Sequence, residues 1–395
     1  MDALSKLLAL SDREKQERGL RYTPTEIAQQ PATWRATFEM FRQHKQEIRE
    51  FLSSTEVLSD NPASRPTVFL VGAGTSDYIG QSVAHLLRKK WQCEVQAVPS
   101  TDLVTHQDDL LLPGRNYLWI SFSRSGDSPE GVAALHHALE KRPDIRHVIV
   151  SCNANGRMVK DTAGLGNVFS VCLNDAVNDR GLAMTSSFSN MVIAGQYLAH
   201  IFDFASYEDT FPHIVRAGGT LLPVAADCAA SLASIGLTKA CMVGSGPLRG
   251  VARESALKVL ELTAGRTLTM SESALGLRHG PMAALGEKTL FVCFLSGNPR
   301  VQKFEIDLLK EIGQKSLVRH RVVVSAREHD GMSLAEHHLA PHLDFTVPDD
   351  YRPPVDVIFG QLLGLFFSLE SNLLPDTPSP TGAISRVVHN VTIHA

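Results

Sequence analysis

The sequence has no CxxC pair, no HExxH motif and no uninterrupted apolar run of 18 residues, and its 38 basic and 42 acidic residues nearly cancel. Each absence removes a class of function. The six cysteines, Cys93, Cys152, Cys172, Cys228, Cys241 and Cys293, are spaced too widely for a zinc or disulfide framework. Three of them sit in apolar β-like runs (VFSVCL, ACMVG, FVCFLSG), where a thiol behaves as a small buried hydrophobe, so they are expected to be reduced core residues. Sixteen histidines invite a metal hypothesis, but Pro341 separates His337 and His338 from His342 and spoils helical i, i+4 geometry; no metal site is expected. Even VIFGQLLGLFFSL carries Gln361 and two glycines, which argues against a membrane span. The N-terminal stretch MDALSKLLALSDREKQERG lacks a basic n-region, a long apolar segment and a small-residue cleavage site, so a cytoplasmic protein is expected. A net charge of -4 supplies no basic field for nucleic acid or anionic lipid. The expected partners are small molecules or further copies of the chain.

What is present describes a soluble globular protein: 44% hydrophobic and 20% charged residues over 395 positions, a length that calls for two cores rather than one. The chain also repeats itself. A strand-like run, TVFLVGAGTS, leads into DYIGQSVAHLLRKKW, and a second, KACMVGSG, leads into PLRGVARESALKVLEL. Gly74 and Gly246 are separated by 172 residues, and so are Trp119 and Phe291 in the next apolar runs, YLWISFSRSG and TLFVCFLSG. Further apolar β-branched runs follow in each half, HVIVSCN and GNVFSVCL in the first, RVVVSA and LDFTVP in the second. Apolar strands alternating with amphipathic helices are the pattern of a parallel sheet covered on both faces. The expected architecture is α/β, with two flavodoxin-like or Rossmann-like domains in tandem. Residues 1–49 are read as an N-terminal helical extension, 50–215 and 216–370 as the domains, and 371–395 as a tail rich in Pro, Ser, Thr and Gly. The inter-domain boundary is placed near 205–222, where FASYEDTFPH meets AGGTLLP. In the extension, Thr23, Pro24 and Glu26 spell a capping box, Pro31 restarts the helix, and Trp34, Phe38, Phe41, Ile48 and Leu52 face a core or a subunit partner.

Ligands of open parallel sheets bind beyond the carboxyl ends of the strands. In VGAGTSDYIG, Asp77 occupies the third glycine position of GxGxxG, which weakens a dinucleotide reading. Gly74, Thr75 and Ser76 suit sugar hydroxyls or phosphate at a helix start, and equally suit a plain tight turn. The turn SFSRSGDSPEG gathers Ser123, Arg124, Ser125, Gly126 and Ser128 directly after a buried strand, an anion cradle unless it is simply an exposed Ser-rich loop. Thr185, Ser186 and Ser187 in MTSSFSN form a third hydroxyl cluster, or an ordinary helix cap.

In the second repeat ionisable groups replace the hydroxyls. Glu254, Lys258 and Glu261 share one helix face, which fits either an exposed ion-pair stripe or a catalytic constellation. Downstream, SESALGLRHGPMAAL brings Glu272, Arg278 and His279 into a glycine-bounded segment, where a lone histidine has a structural reading as well.

Taken together, GAGTS, SRSGDS, TSSFSN and ESALKVLEL followed by RHGP resemble the SIS (sugar isomerase) family, in particular the isomerase half of glucosamine-6-phosphate synthase, over roughly residues 50–370. TPTEIAQQPATWR and PTGAISRVVHNV resemble more specifically its AgaS-type branch, which is assigned to galactosamine-6-phosphate deamination and isomerisation. The resemblance implies tandem SIS domains and an enzyme that releases ammonia, since no glutaminase domain is present. It implies a phosphate loop at Ser123, Arg124, Ser125 and Ser128, with Gly74, Thr75, Ser76, Thr185, Ser186 and Arg386 near the sugar phosphate. It implies Lys258 and Glu261 on the catalytic helix, Glu261 being the base that moves a proton between C2 and C1. It further implies ring opening assisted by His279 from a neighbouring subunit, hence a homodimer, and chemistry without a metal or redox cofactor. A pure ketose-aldose isomerase and a non-catalytic sugar-phosphate sensor are the alternatives; no basic recognition helix of the kind sensors often carry is found. Three departures stand out. Arg124 replaces the relatives' Gln, the Glu261-to-His279 connection is two residues longer than in the synthase, and Arg386 stands where the synthase has a reactive Lys and cannot form a Schiff base.

Overall fold

The computed structural model describes residues 1–328, 333–341, 346–388 and 391–394. The chain divides into two compact units, one comprising residues 32–178, 186–209 and 386–395, the other residues 1–31, 179–185 and 210–385.

The first of these is built on a five-stranded sheet: β1 (Thr67–Gly72), β2 (Val95–Pro99), β3 (Tyr117–Ser123), β4 (Arg146–Ser151) and β5 (Val168–Cys172). Its order is β2-β1-β3-β4-β5 and every pairing is parallel. β1 and β3 are buried along their whole length, as continuous apolar runs must be when both faces are covered. On one face Phe69, Val71 and Trp119 pack with Leu103, Ala134 and Ala138. Trp34, Phe41, Ile48 and Leu52 are buried, and Phe38 lies against Tyr197, Phe204 and Tyr207, so this apolar stripe faces a core.

The other unit repeats the plan with β6 (Lys239–Gly244), β7 (Leu268–Glu272), β8 (Thr289–Phe294), β9 (His320–Val324) and β10 (His337–Leu339), in the order β10-β9-β8-β6-β7 and again wholly parallel. Counted within each sheet, both orders are 2-1-3-4-5, the flavodoxin-like arrangement. The repeat extends to the backbone. A Cβ on Gly72 would sit 2.4 Å from the Ser76 carbonyl carbon and one on Gly244 2.2 Å from the Leu248 carbonyl oxygen, so in both sheets glycine lets the next helix begin at once.

Several expectations are corrected. The capping box at Thr23 does not form: the helix Thr23–Ala28 has no side-chain cap, Thr23 Oγ1 donates to Asp376 Oδ1 (2.8 Å), and Glu26 accepts from the Arg180 amide (2.6 Å). The expected boundary near 205–222 is not among these corrections: the two units divide at 209/210, inside one helix, Phe204–Ala233, which contains Pro212 and Pro223. In LDFTVP, Leu343, Asp344 and Phe345 lie outside the described residues and Thr346–Pro348 are not a strand; the fifth strand is His337–Leu339. The short edge strands β2, β7 and β10 went unread because they lack a long apolar run. None of the six cysteines forms a disulfide among the described residues, and Cys152, Cys241 and Cys293 are buried. Among the described residues no helix is long and apolar enough to cross a membrane.

Candidate functional site

In the first-sheet unit the switch point falls between β1 and β3, and both sequence-selected turns leave the carboxyl ends of these two strands. Gly74, at φ 56°, precedes the helix Thr75–Trp91, and Thr75 and Ser76 are buried in its first turn. The turn after β3 is organised by its own hydroxyls. Ser123 Oγ accepts the Gly126 amide (3.0 Å), Ser125 Oγ the Asp127 amide (3.1 Å), and Ser128 Oγ caps the helix Pro129–Lys141 through the Gly131 amide (3.2 Å). Each hydroxyl thereby spends a lone pair, and among the described residues no acceptor takes its proton. Three donors are left in one turn beside a helix start, the chemistry of an anion site.

This turn rests on a shelf that sequence reasoning missed. Asn153 Nδ2 donates to the Ser125 carbonyl (2.8 Å), and a Cβ on Gly156 would lie 2.4 Å from that oxygen. The signal available was NANG directly after the buried run HVIVSC. Arg124 is buried and donates to the Arg386 carbonyl, while Arg386 donates to Asn178 Oδ1 (2.7 Å). The two arginines are thus tied into one chain of contacts ending at Asn178, which the sequence had not singled out.

Ser186 opens the wholly buried helix Ser186–Ala199, and its carbonyl accepts from Asn190 Nδ2 (2.8 Å). Thr185, in the second-sheet unit, is fully buried; its amide and hydroxyl both donate to Asp179 (2.8 and 3.2 Å).

The second-sheet unit holds the ionisable constellation. On the helix Leu248–Leu262, Lys258 Nζ lies 2.6 Å from Glu261 Oε2 and 3.3 Å from Glu254 Oε1. Lys258 and Glu254 are buried and Glu261 is 24% exposed, so the exposed-stripe alternative is set aside. Burial pulls the Lys258 pKa down, but the two carboxylates outweigh it and hold the ammonium above its ordinary value. The result is a permanently charged lysine orienting a carboxylate whose other side is open to solvent, an arrangement suited to proton transfer. His279 follows the 3-10 turn Gly276–Arg278 and is exposed; its ring has no hydrogen-bond partner among the described residues. Arg278 instead pairs with Glu311 (2.7 Å), and Glu272 with Arg249 (3.5 Å). His338 bonds Ser325 Oγ (2.8 Å), and His342 lies outside the described residues.

No protein-family model matches the sequence. A D-galactosamine-6-phosphate deaminase AgaS from Escherichia coli O157:H7 is 34% identical over 384 residues, covering 94% of this chain and 95% of the relative. Among solved structures, a tagatose-6-phosphate ketose/aldose isomerase from Escherichia coli superposes with a TM-score of 0.84 at 30% identity, covering 94% of this chain and 96% of the other. The C-terminal domain of glucosamine-fructose-6-phosphate aminotransferase from Francisella tularensis shares the fold, with a TM-score of 0.73 at 17% identity over 89% of this chain and 96% of that one.

Proposed function

The chain belongs to the D-galactosamine-6-phosphate deaminase AgaS family, and from that premise we propose that it is a deaminating isomerase converting D-galactosamine 6-phosphate to D-tagatose 6-phosphate and ammonia. The observation that carries the chemical half of this reading is the buried Lys258 ammonium held 2.6 Å from Glu261. A carboxylate fixed by a permanent cation and open on one side is equipped to take a proton and return it.

In this reading Ser123, Ser125 and Ser128 donate to the phosphate, and Gly74, Thr75 and Ser76 line the sugar phosphate. Arg124, Thr185, Ser186 and Arg386 complete the set assigned to substrate and phosphate binding. His279 moves a proton to open the pyranose, exposing the C1 aldehyde, which acidifies the C2 hydrogen. Glu261 takes that proton and delivers it to C1, while the amine nitrogen loses a proton and O1 gains one, so the 2-amino aldose becomes a 2-imine at the ketose level bearing a C1 hydroxyl. Water adds to the imine carbon and ammonia leaves, completing ketose 6-phosphate. The steps are proton transfers and an imine hydrolysis, and they call for neither a metal nor a redox cofactor. The exposure of His279, whose ring has no hydrogen-bond partner among the described residues, supports its use by a neighbouring subunit and with it a homodimer with shared sites; a cytoplasmic location belongs to the same proposal.

A 2-hydroxy sugar would undergo the same proton transfer and stop at the ketose. The similarity to a solved protein named tagatose-6-phosphate ketose/aldose isomerase favours keeping this second reading. Ammonium release from galactosamine 6-phosphate and glucosamine 6-phosphate, with tagatose 6-phosphate as control, separates the two. Release from galactosamine 6-phosphate is expected; sugar interconversion without ammonium would replace the deaminase by the isomerase, and binding without turnover would leave a sensor.

A further inference from the structure

Because the two sheets have the same order, β8 occupies in the second the place β3 occupies in the first. The turns that follow them end alike: Ser128 caps the helix Pro129–Lys141 and Asn298 caps the helix Pro299–Gln314, each with proline next. Their hydroxyl protons fare differently. After β3 the serine protons are left without acceptors among the described residues, as set out above. After β8, Ser296 Oγ donates to Asp349 Oδ2 (2.5 Å), and the Gly297 amide donates to Asp349 Oδ1 (2.8 Å). Arg352 Nη1 reaches the same Oδ1 at 2.9 Å. One carboxylate therefore receives a hydroxyl, a backbone amide and a guanidinium, the donor set by which proteins hold oxyanions.

The surroundings fit an anion as well. Arg352 is fully buried and also donates to the carbonyls of Leu295 (2.7 Å) and Val324 (3.3 Å), with Asp356 at 2.7 Å. Losing Asp349 would leave this buried guanidinium short of counter-charge. On the other side of the turn the Ser296 amide donates to Glu305 Oε2 (2.7 Å). Glu305 is fully buried; its Oε1 makes no hydrogen bond of normal geometry among the described residues, and the Ser245 hydroxyl beside the carboxylate offsets only part of the burial. Burial above all pushes its pKa up to about 7, so near neutrality a share of molecules holds a proton there that can be donated.

We propose that the Ser296–Gly297 turn is a second oxyanion cradle which the chain fills with its own Asp349 carboxylate, and that removing this carboxylate opens it to a small oxyanion of the formate or phosphate class. The functional consequence is a single sugar phosphate per chain despite two sheets of one plan. That consequence rests on the function proposed above, whereas the masking of the turn does not.

The test is anion rescue of thermal stability in Asp349→Ala. Its Tm is expected to fall by roughly 3–10 °C, and formate or inorganic phosphate is expected to restore at least about half of the loss where chloride at equal ionic strength does not. The same rescue in an Asp349→Ala, Ser125→Ala double variant would assign it to the second turn rather than the first. Asp349→Asn keeps the cradle filled and is expected to ignore formate. Should alanine prevent folding, Asp349→Ser leaves room for formate while still offering Gly297 an acceptor, with the same expectation. Loss of Tm that formate and phosphate fail to restore, or equal rescue of Asp349→Asn, overturns the proposal. Equilibrium binding of galactosamine 6-phosphate to the wild type is expected to saturate at one per chain, and two would overturn the one-site consequence. Failure of ammonium release would remove the proposed reaction and leave the rescue experiment untouched.

Discussion

Lys258 and Glu261, three residues apart on one helix, form an ion pair at 2.6 Å in which the lysine is buried and the carboxylate is 24% exposed. The pair is asymmetric by construction: its cation cannot leave, and its anion can reach solvent or substrate. Glu261→Gln keeps a hydrogen-bond acceptor for Lys258 and removes only the proton-accepting charge. Turnover should fall by roughly 10²–10⁴-fold while the Kd for sugar phosphate changes little. Steady-state rates and equilibrium binding on the same preparation decide it, and normal turnover would exclude Glu261 as the base.

Lys258→Met is expected to behave differently, because it leaves Glu254 buried beside an apolar side chain. Stability should drop by about 3–5 kcal/mol in denaturant titration, a loss Glu261→Gln does not share. Equal stabilities for the two variants would contradict the burial of the pair.

Ser125→Ala removes one proposed phosphate donor and should raise KM roughly 10-fold or more with a smaller effect on kcat. Gly156→Ala removes no donor, yet its Cβ would lie 2.4 Å from the Ser125 carbonyl oxygen and 2.7 Å from Gly126 Cα, both backbone atoms. The turn must move, and a comparable rise in KM is expected. An unchanged KM in Gly156→Ala would mean that the geometry of this turn does not govern substrate affinity.

His279→Asn should leave stability unchanged, since the ring is exposed, while turnover falls. If His279 serves the neighbouring subunit, unfolding and refolding an equal mixture of His279→Asn and Glu261→Gln chains creates heterodimers with one intact site. Activity should recover to about a quarter of the wild-type value. No recovery from a properly refolded mixture would place both groups of a site on one chain.

Glu26 accepts the amides of Arg180 and Gly181, near the carboxylates of Asp179 and Asp376. Burial, and next the Asp179 charge, push its pKa up to about 8 from an ordinary 4.5. Between these values the folded chain holds a proton that the unfolded chain has released. Stability contributed by this group is therefore full below the unfolded pKa and is lost as pH rises toward 8. Tm measured from pH 5 to 8 should decline with pH in the wild type and decline less in Glu26→Gln, which stays neutral. Parallel pH profiles would assign the decline to other groups.

The sequence by itself determined what is local. The buried runs of β1, β3, β6 and β8, the repeat that relates them, and the Ser123–Ser128 turn were legible because a strand, a turn and a helix start lie within a dozen residues. Hydroxyls and glycines in such a turn have few places to go. Only the tertiary structure decided what depends on partners far along the chain. Helical spacing puts Glu254, Lys258 and Glu261 on one face whether that face meets water or a core, and burial alone made it an interior ion pair. Thr23, Pro24 and Glu26 spelled a capping box until Asp376, 353 residues away, claimed the Thr23 hydroxyl. Arg124 is legible as part of the turn, whereas its donation to the carbonyl of Arg386, 262 residues on, is visible only in the folded chain. The same holds for the Ser296–Gly297 turn, which carries donors like those of the first turn and differs in what reaches it. A carboxylate 53 residues beyond Ser296 occupies it, and no property of the turn itself foretells that.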